Sequence, residues 1–103
     1  MYKLVFFNHG KVYELFAEDV DSSHLYGFIV ATGLVFDGRE KMVVDPTEER
    51  LRDEFNDTEQ LLLPIQSVIR VEKVKKRGAS VIRDRKTGEK VTPLPLDGPN
   101  RKG

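Results

Sequence analysis

The sequence predicts an α+β fold: a strongly bent antiparallel sheet, or a small SH3-like or Sm-like partial barrel, with one capped helix and a flexible C-terminal tail. Three observations predict it. Short apolar runs separated by turn residues recur over the first 82 residues. A single Asp-Pro-Thr-Glu helix start interrupts them, and the apolar pattern gives out after Ile82. Residues 1–82 are therefore read as one domain and 83–103 as a basic, proline-containing tail. A chain of 103 residues has room for one modest core and none for a separate cofactor domain.

Tyr2 to Phe7 is aromatic and β-branched and ends in Asn8-His9-Gly10-Lys11, so it reads as a strand followed by a tight turn, with Gly10 supplying a positive φ. Lys11 to Phe16 resumes the pattern and completes a β-hairpin. Leu4-Val5-Phe6-Phe7 at an open edge would invite aggregation, which places this strand inside the sheet or under cover. Ala17 to Tyr26 turns acidic and then polar, and Asp21-Ser22-Ser23 is suited to cap one helical turn. Gly27 to Phe36 is apolar at both parities, the pattern of a central strand, and Gly33 within it predicts a bulge or bend. Asp37-Gly38 marks a turn and Met42-Val43-Val44 a short return strand.

Asp45-Pro46-Thr47-Glu48 is the clearest local signature. Asp45 suits the N-cap, Pro46 the first helical position, and Glu48 a capping box. The helix is expected over about 46–56, with Leu51 and Phe55 on one narrow apolar face that lies across a sheet. Leu61-Leu62-Leu63, a turn started by Pro64, and Val68 to Lys75 follow as strand, turn, strand, the order in which SH3-like and Sm-like barrels finish. The alternation slips in the second strand, which predicts a bulge near Glu72. Lys75-Lys76-Arg77-Gly78 reads as a turn and Ala79 to Ile82 as a last strand. From Arg83 on, charge, glycine and Pro93, Pro95 and Pro99 replace that pattern.

Four of these segments resemble a family of small uncharacterised bacterial proteins, a domain of unknown function of about this length. They are Phe6 to Leu15, Leu25-Tyr26-Gly27-Phe28, Val43 to Leu51, and Leu63-Pro64 to Val74, so the resemblance spans roughly residues 2–75. It implies no activity and no site residues. Where such proteins carry His-Ala after the Pro-aliphatic step, this chain has Gln66-Ser67, so no role of that histidine carries over.

The chemistry-bearing residues form no catalytic constellation. With no cysteine, thiol catalysis, disulfides and thiolate metal sites are excluded. Asp21-Ser22-Ser23-His24 holds the residue types of a hydrolase triad, but neighbours in sequence do not give the geometry, and there is no Gly-x-Ser-x-Gly elbow. His9 and His24 lack ligand spacing with each other or with Glu18, Asp19 and Asp21, so no metal site is assigned. No glycine-rich phosphate loop is present, and no cofactor is expected. No apolar run reaches the length of a membrane span, and the start lacks a cleavable signal pattern, so a cytoplasmic protein is expected.

Charge is where the sequence speaks. Lys and Arg number 17, as do Asp and Glu, yet residues 1–60 carry 6 against 13 and residues 61–103 carry 11 against 4. The halves are thus −7 and +7. Arg70, Lys73, Lys75, Lys76 and Arg77 are expected to form one cationic strip on a hairpin spanning Val68 to Ile82, with Arg83, Arg85, Lys86 and Lys90 beyond it. Such a strip attracts phosphates by counterion release. Aromatic stacking partners would have to come from Tyr2, Tyr13, Tyr26 or Phe28, outside the basic segment. The expected function is a non-enzymatic binding module that contacts RNA or a ribonucleoprotein. The structural reading sets the basic charges against the acidic half of the chain, and the alternative function is a protein–protein adaptor or a homo-oligomer, such as a homodimer, that uses an edge strand and the acidic helix with no nucleic-acid role. Thr92-Pro93-Leu94-Pro95-Leu96 also has the composition of a short linear ligand or of plain disorder.

Overall fold

The computed structural model describes residues 1–36 and 45–92. The expected turn at Asp37-Gly38, the return strand Met42-Val43-Val44 and the proline segment from Pro93 onward lie outside the described residues. The fold is α+β, and every strand pairing is antiparallel. Strands β1 (Tyr2–Asn8), β2 (Lys11–Asp21) and β3 (Phe28–Val35) precede helix α1 (Pro46–Glu54). Then come β4 (Gln60–Pro64), one 3-10 turn (Ile65–Ser67), β5 (Val68–Lys73) and β6 (Val81–Asp84). The sheet runs β4-β3-β2-β1-β5, with β6 attached to β2.

The β1–β2 hairpin closes through a two-residue loop at which both His9 (φ 53) and Gly10 (φ 76) adopt positive φ, the twist-matching geometry for so short a connection. β2 then runs on to Asp21, past the Lys11–Phe16 run that the sequence marks as its apolar part. The extension is held by β3, which pairs from Phe16↔Val35 to Asp21↔Val30. Asp21 caps only a local turn, accepting from the Ser23 N–H at 3.2 Å and the Ser23 hydroxyl at 2.9 Å. Gly33 has φ 73, but the register is unbroken across it, so no residue is inserted into β3 there. β2 is the common member of the sheet. One edge carries β1, and the other is shared end to end by β6 (Lys11–Glu14) and β3 (Phe16–Asp21).

The inner face holds the core. Leu4 and Phe6 of β1, Tyr13, Leu15 and Ala17 of β2, Ala31 of β3, Leu63 of β4 and Ile82 of β6 cluster with Leu51 from the helix. Leu51 is fully buried, and burial of such a side chain is worth about 1.5–3 kcal/mol. Phe55 packs half-buried beside it, so the narrow helical stripe does lie across the sheet. Asp45 is the N-cap, accepting from Thr47 N–H at 3.0 Å and Glu48 N–H at 3.4 Å. Burial and the Glu54 carboxylate push the Tyr13 phenol above its ordinary range, against a smaller opposing effect from Arg50.

Three expectations near the C-terminus are corrected. The bulge in β5 lies at Ile69, not near Glu72: Val5 pairs with Arg70 and Phe6 with Val68, leaving Ile69 without a partner across the ladder. That slip returns Val68 and Val71 to the core side. β5 and β6 are not a hairpin, because β5 pairs with β1 and β6 with β2. Residues 74–80 instead cross the β1–β2 pair on its outer face. A Cβ added to Gly78 would meet the Phe16 ring at 3.3 Å, which shows how closely the crossing chain covers it.

The third correction concerns the tail, read as starting at Arg83. β6 continues to Asp84 and the chain folds back as a small hairpin, with Asp84 N–H on Glu89 O at 2.8 Å and Val91 N–H on Ile82 O at 2.7 Å. Asp84 accepts from the Lys86 and Thr87 N–H groups at 2.8 and 2.9 Å, and Gly88 supplies φ 78. Turn chemistry therefore outweighs the polar composition.

Candidate functional site

The register of the ladders lays out the outer face of β5, β1, β2 and β6 in rows. Phe7, Val12 and Arg83 form one row, and Arg70, Val5, Glu14 and Val81 the next. Glu72, Lys3 and Phe16 form the third. Each residue is placed there by period-2 alternation, because its neighbours Phe6, Tyr13, Leu4 and Ile82 are drawn to the core. The centre of this face is a charge network. Glu14 is bonded to Arg83 Nε at 2.7 Å and pairs with Lys3 Nζ at 3.5 Å, with its own side chain only 13% exposed. Val5 and Val81, beside this network on the same face, are buried as well.

At one end of the face Phe7 is 39% exposed, and the Arg85 guanidinium stands 4.9 Å from its ring centroid. The hairpin turn after Asp84 brings Arg85 there. Tyr2, Tyr13, Tyr26 and Phe28 do not do this; the ring that does, Phe7, belongs to the apolar run that the sequence places inside the sheet or under cover. The available signal was the odd position of Phe7 in an alternating strand whose even members are core.

The five cations expected in one strip are divided. Arg70 is on the outer face and makes an exposed pair with Glu72 at 3.6 Å, an interaction of little weight in water. Lys73 is opposite Tyr2 in the ladder and so points to the other side of the sheet. Lys75 and Lys76 are exposed on the crossing segment, near the Lys3 end of the face, where Val74 N–H bonds Met1 O at 2.9 Å. Arg77 donates to the Phe36 carbonyl and helps fix that crossing. The outer face thus carries Arg85, Phe7 and Arg83 at one end, Lys3, Lys75 and Lys76 at the other, and Arg70 between.

The remaining candidates are placed elsewhere. Ser22, Ser23, Tyr26, Gly27, Ile65 and Gln66 line a shallow cleft between the β2–β3 loop and the 3-10 turn. His9 sits in the first hairpin loop, on a different element from His24. Among the described residues no three His, Asp or Glu side chains converge as a metal site, and no helix is long and apolar enough to cross a membrane.

A small α+β domain with a bent antiparallel sheet and a charged outer face that includes an exposed aromatic is the class these features define. The family model described as domain of unknown function (DUF1820) matches residues 1–96, and the chain belongs to that family. No curated protein and no solved structure matches it.

Proposed function

We propose that this protein is a non-enzymatic, cytoplasmic binding module that contacts RNA or a ribonucleoprotein through the outer face of β5, β1, β2 and β6. The observation that carries the reading is the exposed Phe7 ring under Arg85, on the same face as Arg70, Lys3 and Arg83. Exposed cations attract and position phosphates, and an exposed aromatic beside arginine offers a stacking surface. Lys75 and Lys76 extend the cationic track, whereas Arg77 anchors the crossing chain and Lys73 lies off the face.

Charge reversal tests it. Arg70→Glu with Lys75→Glu and Lys76→Glu should abolish binding of mixed cellular RNA while circular dichroism stays unchanged. Retained affinity in that folded variant contradicts the reading.

A protein ligand is the second reading. It is favoured by the apolar side chains around the cleft, with Tyr26 99% exposed and Leu25 and Ile65 also open to solvent. Tyr26→Ser should then weaken a partner contact and leave RNA binding untouched.

A further inference from the structure

We infer that the outer face takes a single-stranded polynucleotide, with one base seated on Phe7 against Arg85 and the backbone following β1 toward Lys3 and Lys75. This rests on the proposed RNA-contacting role and specifies the form of nucleic acid that the same surface accepts.

Size argues first. From Phe7 to Lys3 the strand advances only about 13 Å at about 3.3 Å per residue. Modules that read duplex RNA by shape span about 16 base pairs and two successive minor grooves, far beyond this face. A few unpaired nucleotides fit it. Chemistry argues second. Phe7 is half-open, with its cation placed over the ring at 4.9 Å. A duplex keeps its bases stacked on one another and has no π-face to offer such a pair. An unpaired base has two, and can stack on the outer plane of the guanidinium or, with Arg85 swung aside, on the ring.

The arrangement of charge agrees. Lys3 and Arg83 are held in fixed positions by Glu14, and exposed Arg70, Lys75 and Lys76 flank them. With Glu14 offsetting charge at the centre, the exposed Arg70, Lys75 and Lys76 give the track that leads away from Phe7, and the other aromatic of this face, Phe16, is buried. The expected specificity is accordingly low: one base is held by its face, and the phosphates are positioned without sequence readout.

The test uses a labelled RNA of about 12 nucleotides, a length within known single-strand site sizes. It is offered single-stranded, annealed to its complement, and as the DNA of the same sequence, over a salt series. The single strands should bind at least tenfold tighter than the duplex. RNA and DNA affinities are compared directly, since base stacking and phosphate contact are common to both. Phe7→Leu should weaken single-strand binding about tenfold while leaving the salt slope unchanged. A 2-aminopurine probe in the strand should be quenched by the natural protein, a readout that needs no variant to fold. Arg85→Gln, a change at an exposed turn, should reduce that quenching. Equal affinity for strand and duplex, or no quenching, overturns the single-strand inference and leaves phosphate contact standing. No binding to any probe at low salt overturns both.

Discussion

The Glu48 carboxylate, only 1% exposed, accepts the backbone N–H of Ser80 through Oε1 at 2.8 Å, and Ser80 itself is fully buried. One residue of the helix start thereby holds the end of the chain crossing the sheet, 32 residues later. An N–H buried without an acceptor costs about 1–3 kcal/mol. Glu48→Ala should therefore lower stability by about 2–3 kcal/mol in urea denaturation and the midpoint of thermal unfolding by roughly 10 °C. Glu48→Gln keeps an acceptor oxygen and should cost clearly less. Equal losses in the two variants would show that this bond is not what holds the crossing.

Gly33 is the backbone counterpart. Its φ of 73 is unfavourable for a side chain, and a Cβ there would lie 2.9 Å from Glu18 Cγ. Gly33→Ala should destabilise the domain by about 1–2 kcal/mol, and Gly33→Asn by less, because asparagine tolerates left-handed backbone. Chemical denaturation distinguishes them.

Glu14 opposes the proposed binding. It neutralises Lys3 and Arg83 at the centre of the face. Glu14→Gln should cost about 1–2 kcal/mol of stability, since both cations lose a charged partner in partly buried positions. The same change should strengthen RNA binding and steepen its salt dependence, as two more cations become available to phosphate. A variant that is less stable and binds more tightly separates this account from one in which Glu14 is structural only.

Asp84 supplies a pH dependence. Backbone N–H bonds from Thr87 and Lys86 hold its carboxyl below the ordinary carboxylate value, with Lys11 adding a smaller effect. Because the folded form is depressed, the contribution is present above the unfolded value near 4 and is lost as pH falls through the folded value. The small hairpin should open on acidification, and Arg85 should then leave Phe7. Chemical shifts of Lys86, Thr87 and Gly88 amides should report that titration, and Asp84→Asn should remove it.

How far the sequence was legible follows from the range of each interaction. The His9-Gly10 loop, the Asp45-Pro46 helix start, the Leu51 core position and the Pro64 turn rest on neighbouring residues, and all are found. The apolar run around Phe6, expected inside the sheet or under cover, lies inside it, since β1 runs between β2 and β5. What failed was long-range pairing. A run of strand, basic residues and strand reads as a hairpin, yet β5 and β6 attach to opposite sides of the β1–β2 pair. The five cations are also divided within β5, where plain alternation from Val5↔Arg70 to Tyr2↔Lys73 turns Arg70 and Lys73 to different faces. Phe7 and Arg85 are 78 positions apart in sequence, and no local pattern announces their contact.

The most direct measurement is binding of mixed cellular RNA to the nuclease-treated protein across a salt series. Contact through the outer face predicts binding at low salt that weakens steeply as salt rises, because phosphate contacts release counterions. Absence of binding at low salt would contradict it and assign the cations of the outer face to the protein's own fold or to a protein partner.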